Sequence, residues 1–393
     1  MILETSTSPE FVIGRPGVPI PRFWSTAWTI LCANGLARST VIEVLRHIDA
    51  FYLHCDERLG ADSLDTAISA VDAQALIDAL QSLYVQTSES PDFSRYQARG
   101  FECAKKFLLD IGALRANSAG SWAKVERAAN ALAPLKSKRK SRGRFIRALP
   151  AVTLADFLEV ASINNSRNPF AEEELRARNW LIIKLLLLAG LRRAECLILP
   201  IDALKQDVHP STGEIRWWLD VARADDEEED DSRFTTPSIK TAQSVRQLPV
   251  SASLARLMLN YVENWRGDPE HSFLFNSKLD KPLSAESVNY VFRRMSAAIS
   301  AEARKEFQLR SGGKTSVSPH DLRHTCAVIR LKQFLGQDIT FEEAMQRMRS
   351  FFGWSYESTM PLHYAKAAFE ERLANVWGDV FDEHTNLLRN LPQ

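Results

Sequence analysis

The chain has no surplus of either charge: 49 Lys and Arg stand against 49 Asp and Glu, a formal net charge of zero. By itself this argues against a duplex-binding protein, which ordinarily draws on a clear excess of Lys and Arg. Cysteine is scarce. The five residues (Cys32, Cys55, Cys103, Cys196, Cys326) are odd in number, scattered, and form no CxxC pair. A disulfide framework and a zinc knuckle are thereby set aside, and a reducing cytoplasm is the expected location. Only 16 Gly and 17 Pro occur among 393 residues, 45% of which are hydrophobic, so the chain is neither disordered nor fibrous. Long apolar runs are also missing. The longest, Trp180 to Leu191, is broken by Lys184 and falls short of the roughly 18 residues a membrane span needs, so it reads as a buried helix and no membrane partner is expected. The N-terminal MILETSTSPEF has no basic region leading into an apolar stretch, and no secretory signal is expected.

What is present is a mainly α pattern with a small antiparallel β-sheet. A chain of this length implies two domains. Residues 1–20 read as an N-terminal extension. Residues 21–135 alternate helical stretches with short polar breaks; Val41, Val44, Leu45, Ile48 and Phe51 or Tyr52 make one apolar stripe at helical spacing. Residues 136–149 form a linker whose core, KSKRKSRGRFIR, holds seven basic residues and no acid. It reads as a solvated linker or as a strap tracking phosphates, and the strap is favoured because it joins two domains. Lys136, Lys138, Arg139, Lys140, Arg142 and Arg144 are its candidate DNA contacts.

A second domain is expected over residues 150–385, with a helical tail to residue 393. It opens with helices over 154–163 and 172–189, followed by two β-prone stretches at 214–223 and 245–250. Between them lies DDEEEDD, Asp225 to Asp231. Seven adjacent carboxylates repel a phosphate backbone, so this block reads as an exposed hairpin tip, or else as a DNA-mimicking brake or a contact for a basic partner. Without it the rest of the chain carries +7, which weakens the argument from neutrality. No internal repeat is present.

Four stretches carry chemistry-bearing residues. In Ala189-Gly-Leu-Arg192-Arg-Ala-Glu195 the glycine ends the apolar helix, Arg192 begins the next turn, and Glu195 lies three residues on, placed to orient an arginine. In Ser238-Ile-Lys240-Thr-Ala-Gln-Ser-Val-Arg246 a lysine stands at the turn into a strand, placed to give a proton to a departing alkoxide. In Ser318-Pro-His320-Asp-Leu-Arg323-His324, Ser318 is an N-cap, Pro319 the first helical residue and Asp321 the partner in a capping box. His320 and Arg323 then share a face at a helix N-terminus, where an anion is favoured. His320 and His324 also have the i, i+4 spacing of a metal pair, but no HExxH glutamate and no third ligand accompany them, so no metal is expected. The fourth stretch, Phe352-Gly-Trp354-Ser-Tyr356 and on to His363-Tyr364, offers two tyrosines as nucleophiles.

Taken in order, G-L-R-x-x-E, K-T-x-x-S-x-R-x-L-P, H-x-L-R-H and F-G-W followed by a tyrosine resemble the tyrosine recombinase (phage integrase) family, over about Leu154 to Ala374. The preceding helical bundle and basic linker look like that family's core-binding domain. The resemblance implies an arginine pair Arg192 and Arg323, a hairpin lysine Lys240, a histidine His320, Trp354 at the His-or-Trp position, and Tyr364 as nucleophile. Glu195 and His324 would support them. The family tyrosine usually lies about nine residues beyond the His-or-Trp position; Tyr364 lies ten beyond Trp354, and Tyr356 only two. Implied too are a 3′-phosphotyrosyl intermediate, double-stranded DNA as partner, self-association or association with related recombinases on DNA, and an integrase of a mobile element. No cofactor is implied. Arg246, Arg293 and Arg294 join the DNA-binding candidates, the last two on a helix that also carries Ser287 and Asn289. A stripe of Phe369, Leu373, Val376, Trp377, Val380 and Phe381 would dock on a neighbouring subunit or on its own domain. The alternatives are a type IB topoisomerase, which relaxes DNA without exchanging strands, and a DNA-binding accessory protein without activity.

Overall fold

The computed structural model describes residues 2–5, 8–18, 20–90, 93–115, 119–132, 134–135, 148–222, 233, 237 and 244–365. The basic strap, the acidic block, Lys240 and the C-terminal stripe lie outside these residues. The chain divides into two compact units, Met1–Arg142 and Gly143–Gln393.

The first unit is helical: α1 (Phe23–Leu31), α2 (Arg38–Leu59), α3 (Ser63–Ala70), α4 (Ala73–Glu89), α5 (Arg95–Leu114) and α6 (Ala119–Ala131). The apolar stripe of α2 buries Val41, Leu45, Ile48, Phe51 and Tyr52 against Leu76 and Leu80 of α4 and Phe101, Phe107 and Ile111 of α5. Each such side chain contributes about 1.5–3 kcal/mol of transfer free energy, which is why the helical period governs this half. The N-terminal residues are more than an extension. Strands β1 (Ile2–Glu4) and β2 (Phe11–Ile13) pair antiparallel, and Phe11 and Ile13 enter the same core. Three-residue strands are too short to show an alternating pattern in sequence, and burial of Phe11 and Ile13 is what holds them. Arg22 is fully buried, ion-paired with Asp56 and Asp62 and set 4.5 Å over the Tyr52 ring.

The second unit begins with α7 (Ala151–Ala161) and α8 (Glu173–Lys184); α8 runs on into a π-helical turn at Leu185–Ala189. Leu181, Ile182, Ile183, Leu185 and Leu186 are buried on all sides, which explains the absence of helical alternation in this run. Short α9 (Arg193–Leu197) leads into a three-stranded antiparallel sheet of β3 (Leu204–Val208), β4 (Ile215–Val221) and β5 (Arg246–Val250), in that order, with Leu219 opposite both Leu204 and Leu248. The sequence predicts the last two strands; β3, LKQDV, is missed because three of its five residues are polar or charged and its side chains are half-buried or exposed. Helices α10 (Ala252–Asn264), α11 (Ala285–Ala298), α12 (Ala301–Ser311), α13 (Pro319–Leu335) and α14 (Phe341–Phe352) follow. A second cluster gathers Cys326, Val328 and Leu331 of α13, Met345, Met348 and Phe352 of α14, and Tyr364.

The π turn ends at Gly190, φ +60, where a side chain would be strained. A Cβ there would also sit 2.5 Å from the Phe352 ring and 3.0 Å from Cys326 Sγ. Gly190→Ala is therefore expected to cost about 2–4 kcal/mol, the strain of a positive φ added to overpacking. Urea unfolding of the whole chain would measure it, and a cost under about 1 kcal/mol would show that α14 can back away from this turn.

Candidate active site

Gly190 turns the chain so that Arg192 becomes the N-cap of α9, in extended backbone, and Glu195 the N3 residue. The Glu195 carboxylate accepts from the Arg192 backbone N–H at 2.9 Å and pairs with the Arg192 guanidinium. It also pairs with Arg246 at 3.1 Å and with Arg323 at 3.6 Å, while only 1% of its side chain is exposed. Burial alone would raise its pKa, but the guanidiniums of Arg246, Arg323 and Arg192 outweigh that and hold it below the usual carboxylate range. Three cations on one anion leave two positive charges in excess, so the site is poised to attract a further anion.

The same arginines also engage the C-terminal end of α14. Gly353, φ +60, closes that helix, and the Trp354 N–H donates back to the Arg349 carbonyl at 2.9 Å. The carbonyls that follow the last helical bonds need donors from elsewhere. Arg246 Nε donates to Phe351 O (2.8 Å), Arg323 Nη2 to Phe352 O (2.7 Å) and Arg192 Nη2 to Gly353 O (3.4 Å). A helix C-terminus carries partial negative charge, so this arrangement also offsets repulsion among the guanidiniums. The F-G-W stretch thus supplies backbone acceptors as well as a tryptophan.

Ser318 caps α13 in the expected capping box with Asp321, and Pro319 follows in the first turn. His320 is exposed on this first turn, whereas Arg323 is 3% exposed; it also donates to the Gly190 carbonyl, and its guanidinium lies 5.0 Å over the Phe352 ring. Burial pushes the Arg323 pKa down to about 10, which leaves it charged at neutral pH. Desolvation, then the Arg323 charge, lowers the His320 pKa, so its imidazole is neutral at physiological pH. Arg192 is the more open arginine, with 27% of its side chain exposed.

Tyr364 lies in a helical turn spanning residues 360–365 and is 1% exposed. Its ring stacks on Trp354 (5.5 Å, 10°), which stacks in turn on Phe352 (4.8 Å, 18°). Its hydroxyl lies 2.6 Å from His324 Nδ1. Burial pushes the Tyr364 pKa up to about 12, against an opposing pull from Arg323. Tyr356, the other tyrosine of this stretch, is 76% exposed.

The structure thus brings together Arg192, Glu195, Arg323, His324, Trp354 and Tyr364, with His320 stacked edge-on against His324 at 4.0 Å. Arg246 requires a correction. Sequence reasoning assigned it to DNA, yet its side chain is 7% exposed and its nitrogens serve Glu195, Phe351 O and Ser244 O. An arginine spent in this way supports the site from inside. Ser244 was missed; its hydroxyl accepts from Arg192 at 3.0 Å, and the serine of K-T-x-x-S-x-R was the available signal. Arg293 and Arg294 stand exposed on α11, Arg294 donating to Tyr290 and to Pro169 O. Asn289 of that helix accepts from Arg193 at 2.7 Å, so Arg193 joins the same polar face. Among the described residues no cluster of three or more His, Cys, Asp or Glu stands ready to hold a metal, and no helix is long and apolar enough to cross a membrane.

Residues 156–339 match the phage integrase family. No curated protein matches the sequence. Among solved structures the chain is similar to a crystal structure of XerA recombinase, at 15% identity over 86% of this chain and 92% of that one, TM-score 0.37. It is also similar to the Tn1549 transposon integrase in complex with circular intermediate DNA (15% identity, 88% and 98% covered, TM-score 0.47). A third is the XerH site-specific recombinase bound to difH substrate (15% identity, 91% and 83% covered, TM-score 0.47).

Proposed function

We propose that this chain, in which residues 156–339 belong to the phage integrase family of tyrosine recombinases, cleaves and rejoins DNA through a 3′-phosphotyrosyl intermediate formed on Tyr364. The observation that carries this reading is the convergence of Arg192, Arg246 and Arg323 on Glu195, beside a tyrosine stacked on Trp354. An excess of two positive charges suits a phosphodiester, whose non-bridging oxygens gain negative charge during attack. The guanidinium of Arg192, open to solvent and fixed by Glu195 and Ser244, meets those oxygens; the buried charge of Arg323 acts from below.

In the cleavage step the Tyr364 oxygen bonds to phosphorus and the bond from phosphorus to the 5′ oxygen breaks. The phenolic proton passes to neutral His320, and Lys240 protonates the departing 5′ oxygen. Because one phosphate ester replaces another, a second DNA hydroxyl reverses the step without an external energy source. That reversibility is what strand exchange requires. The first unit and the basic strap hold the duplex by its phosphates, and the exposed Arg293 and Arg294 of α11 add contacts. A mobile element is the natural owner of such an activity, and self-association on DNA follows from the need to bring two sites together.

Trapping tests this reading. On nicked suicide duplexes carrying candidate sites, from which the cleaved fragment diffuses away, the wild-type chain is expected to accumulate a covalent adduct that survives denaturation. Absence of adduct from every candidate site would favour the accessory-protein reading. Exchange of arms between two marked duplexes separates a recombinase from a topoisomerase, which relaxes supercoils but leaves the arms in place.

A further inference from the structure

The second histidine of H-x-L-R-H has no part in the cleavage step, yet it makes the closest polar contact of the tyrosine assigned to it. His324 is on α13, half-buried, with Nδ1 2.6 Å from the Tyr364 hydroxyl. Behind the phenol lie Trp354 and Phe352 in a continuous stack. With 1% of Tyr364 exposed, a duplex phosphate cannot reach this oxygen where it now lies.

Two roles for His324 are chemically open: proton acceptor in the reaction, or hydrogen-bond acceptor that fixes the phenol. Burial, then the neighbouring His320, pushes the His324 pKa down to about 3, while burial pushes Tyr364 up to about 12. Across such a gap the proton stays on oxygen by many orders of magnitude, so a base role fails. An acceptor role needs only a neutral ring with its proton on Nε2, and a short O–H to Nδ1 bond is what that tautomer makes.

We infer that His324 is a positioning residue that holds the Tyr364 hydroxyl in a sheltered resting place, from which the nucleophile must be released before it meets a phosphate. The inference rests on the recombinase reading for its meaning, since the latched group is that reading's nucleophile. Release breaks the bond to His324 and exposes the phenol. The hydrogen bond thereby keeps the free protein from reacting with DNA that has not displaced it.

Nitration of the whole chain by tetranitromethane, without DNA, reads the latch directly, with exposed Tyr356 as the internal standard. In the wild type Tyr364 is expected to react at least tenfold more slowly than Tyr356. His324→Leu, which offers no acceptor, is expected to raise the Tyr364 rate tenfold or more; His324→Asn, whose Oδ1 stands near the place of Nδ1, is expected to restore protection. Equal Tyr364 rates in wild type and His324→Leu, or no rescue by asparagine, would overturn the inference. Should His324→Leu fail to fold, the wild-type chain labelled with 15N-histidine still decides: Tyr364→Phe must move the Nδ1 resonance of one neutral histidine, and an unchanged spectrum refutes the bond. On suicide duplexes, single-turnover adduct formation by His324→Leu is expected at threefold the wild-type rate or more, and a rate below wild type refutes the latch. If neither protein forms an adduct, the recombinase reading fails, while nitration and the histidine spectrum still decide the contact.

Discussion

Tyr364→Phe is expected to abolish the covalent protein–DNA adduct, a loss of about a thousandfold or more in cleavage, while Tyr356→Phe cleaves within about twofold of wild type. The argument is one of separable effects. Phenylalanine keeps the ring that stacks on Trp354 and fills the cavity between α13 and α14. What is lost is one hydroxyl and its bond to His324, worth about 1 kcal/mol of stability, too little to unfold the unit. A vanished adduct with an unchanged melting curve therefore reports chemistry. Tyr356, 76% exposed, makes an instructive control because it is the accessible tyrosine of the pair. Mapping the adduct peptide gives the decisive check: recovery of DNA-linked Tyr356, or adduct formation by Tyr364→Phe, would remove Tyr364 from the role assigned to it.

The second large effect is expected at Glu195. Glu195→Ala strips the anion from three guanidiniums, two of them 7% and 3% exposed, and leaves cations without a counter-charge. Removing one partner of a buried ion pair typically costs about 3–5 kcal/mol. For a unit of this size that lowers the thermal midpoint by roughly 10 °C. Cleavage is expected to fall as well, since Arg192 loses both of its bonds to this carboxylate. The pH dependence has a definite sign. The folded pKa of Glu195 is depressed, so its contribution is fully present above the unfolded carboxylate value of about 4.3 and is lost as pH falls through the lower folded value. The gap between wild type and Glu195→Ala, followed by urea unfolding at several pH values, is expected to close in acid. A gap that stays constant to pH 2, or a neutral-pH cost under 1 kcal/mol, would show that the carboxylate does not organise the site.

The legible parts of the fold were those with a strong local signal. The apolar stripe of α2, the unbroken run Trp180 to Leu191, the Ser318–Asp321 capping box and strands β4 and β5 could all be read in advance, because spacing, capping chemistry and β-branched or aromatic runs act within a few residues. The β1–β2 hairpin and β3 could not, because their strands are short and are stabilised by pairing with residues distant in the chain. Residue type carried the site in the same way. Arg192, Glu195, His320, Arg323 and Tyr364 stood out by motif, whereas the interior role of Arg246 and the part played by Ser244 did not. A guanidinium reads the same in sequence whether it faces a phosphate or the closing carbonyls of α14.

Tyr364 was singled out by sequence alone, through its place in the order of four motifs and its distance from Trp354. The sequence by itself also determined the helical bundle, the strong charge of the linker and the residue types a phosphodiester needs, since these depend on composition and local spacing. Only the tertiary structure decided where the charges go. It folded Arg192, Arg246 and Arg323 onto Glu195 and onto three successive carbonyls, and it buried the Tyr364 phenol against His324. Burial, dielectric and hydrogen-bond partners belong to the packed interior, and they set whether a tyrosine that can serve as a nucleophile is presented or held back.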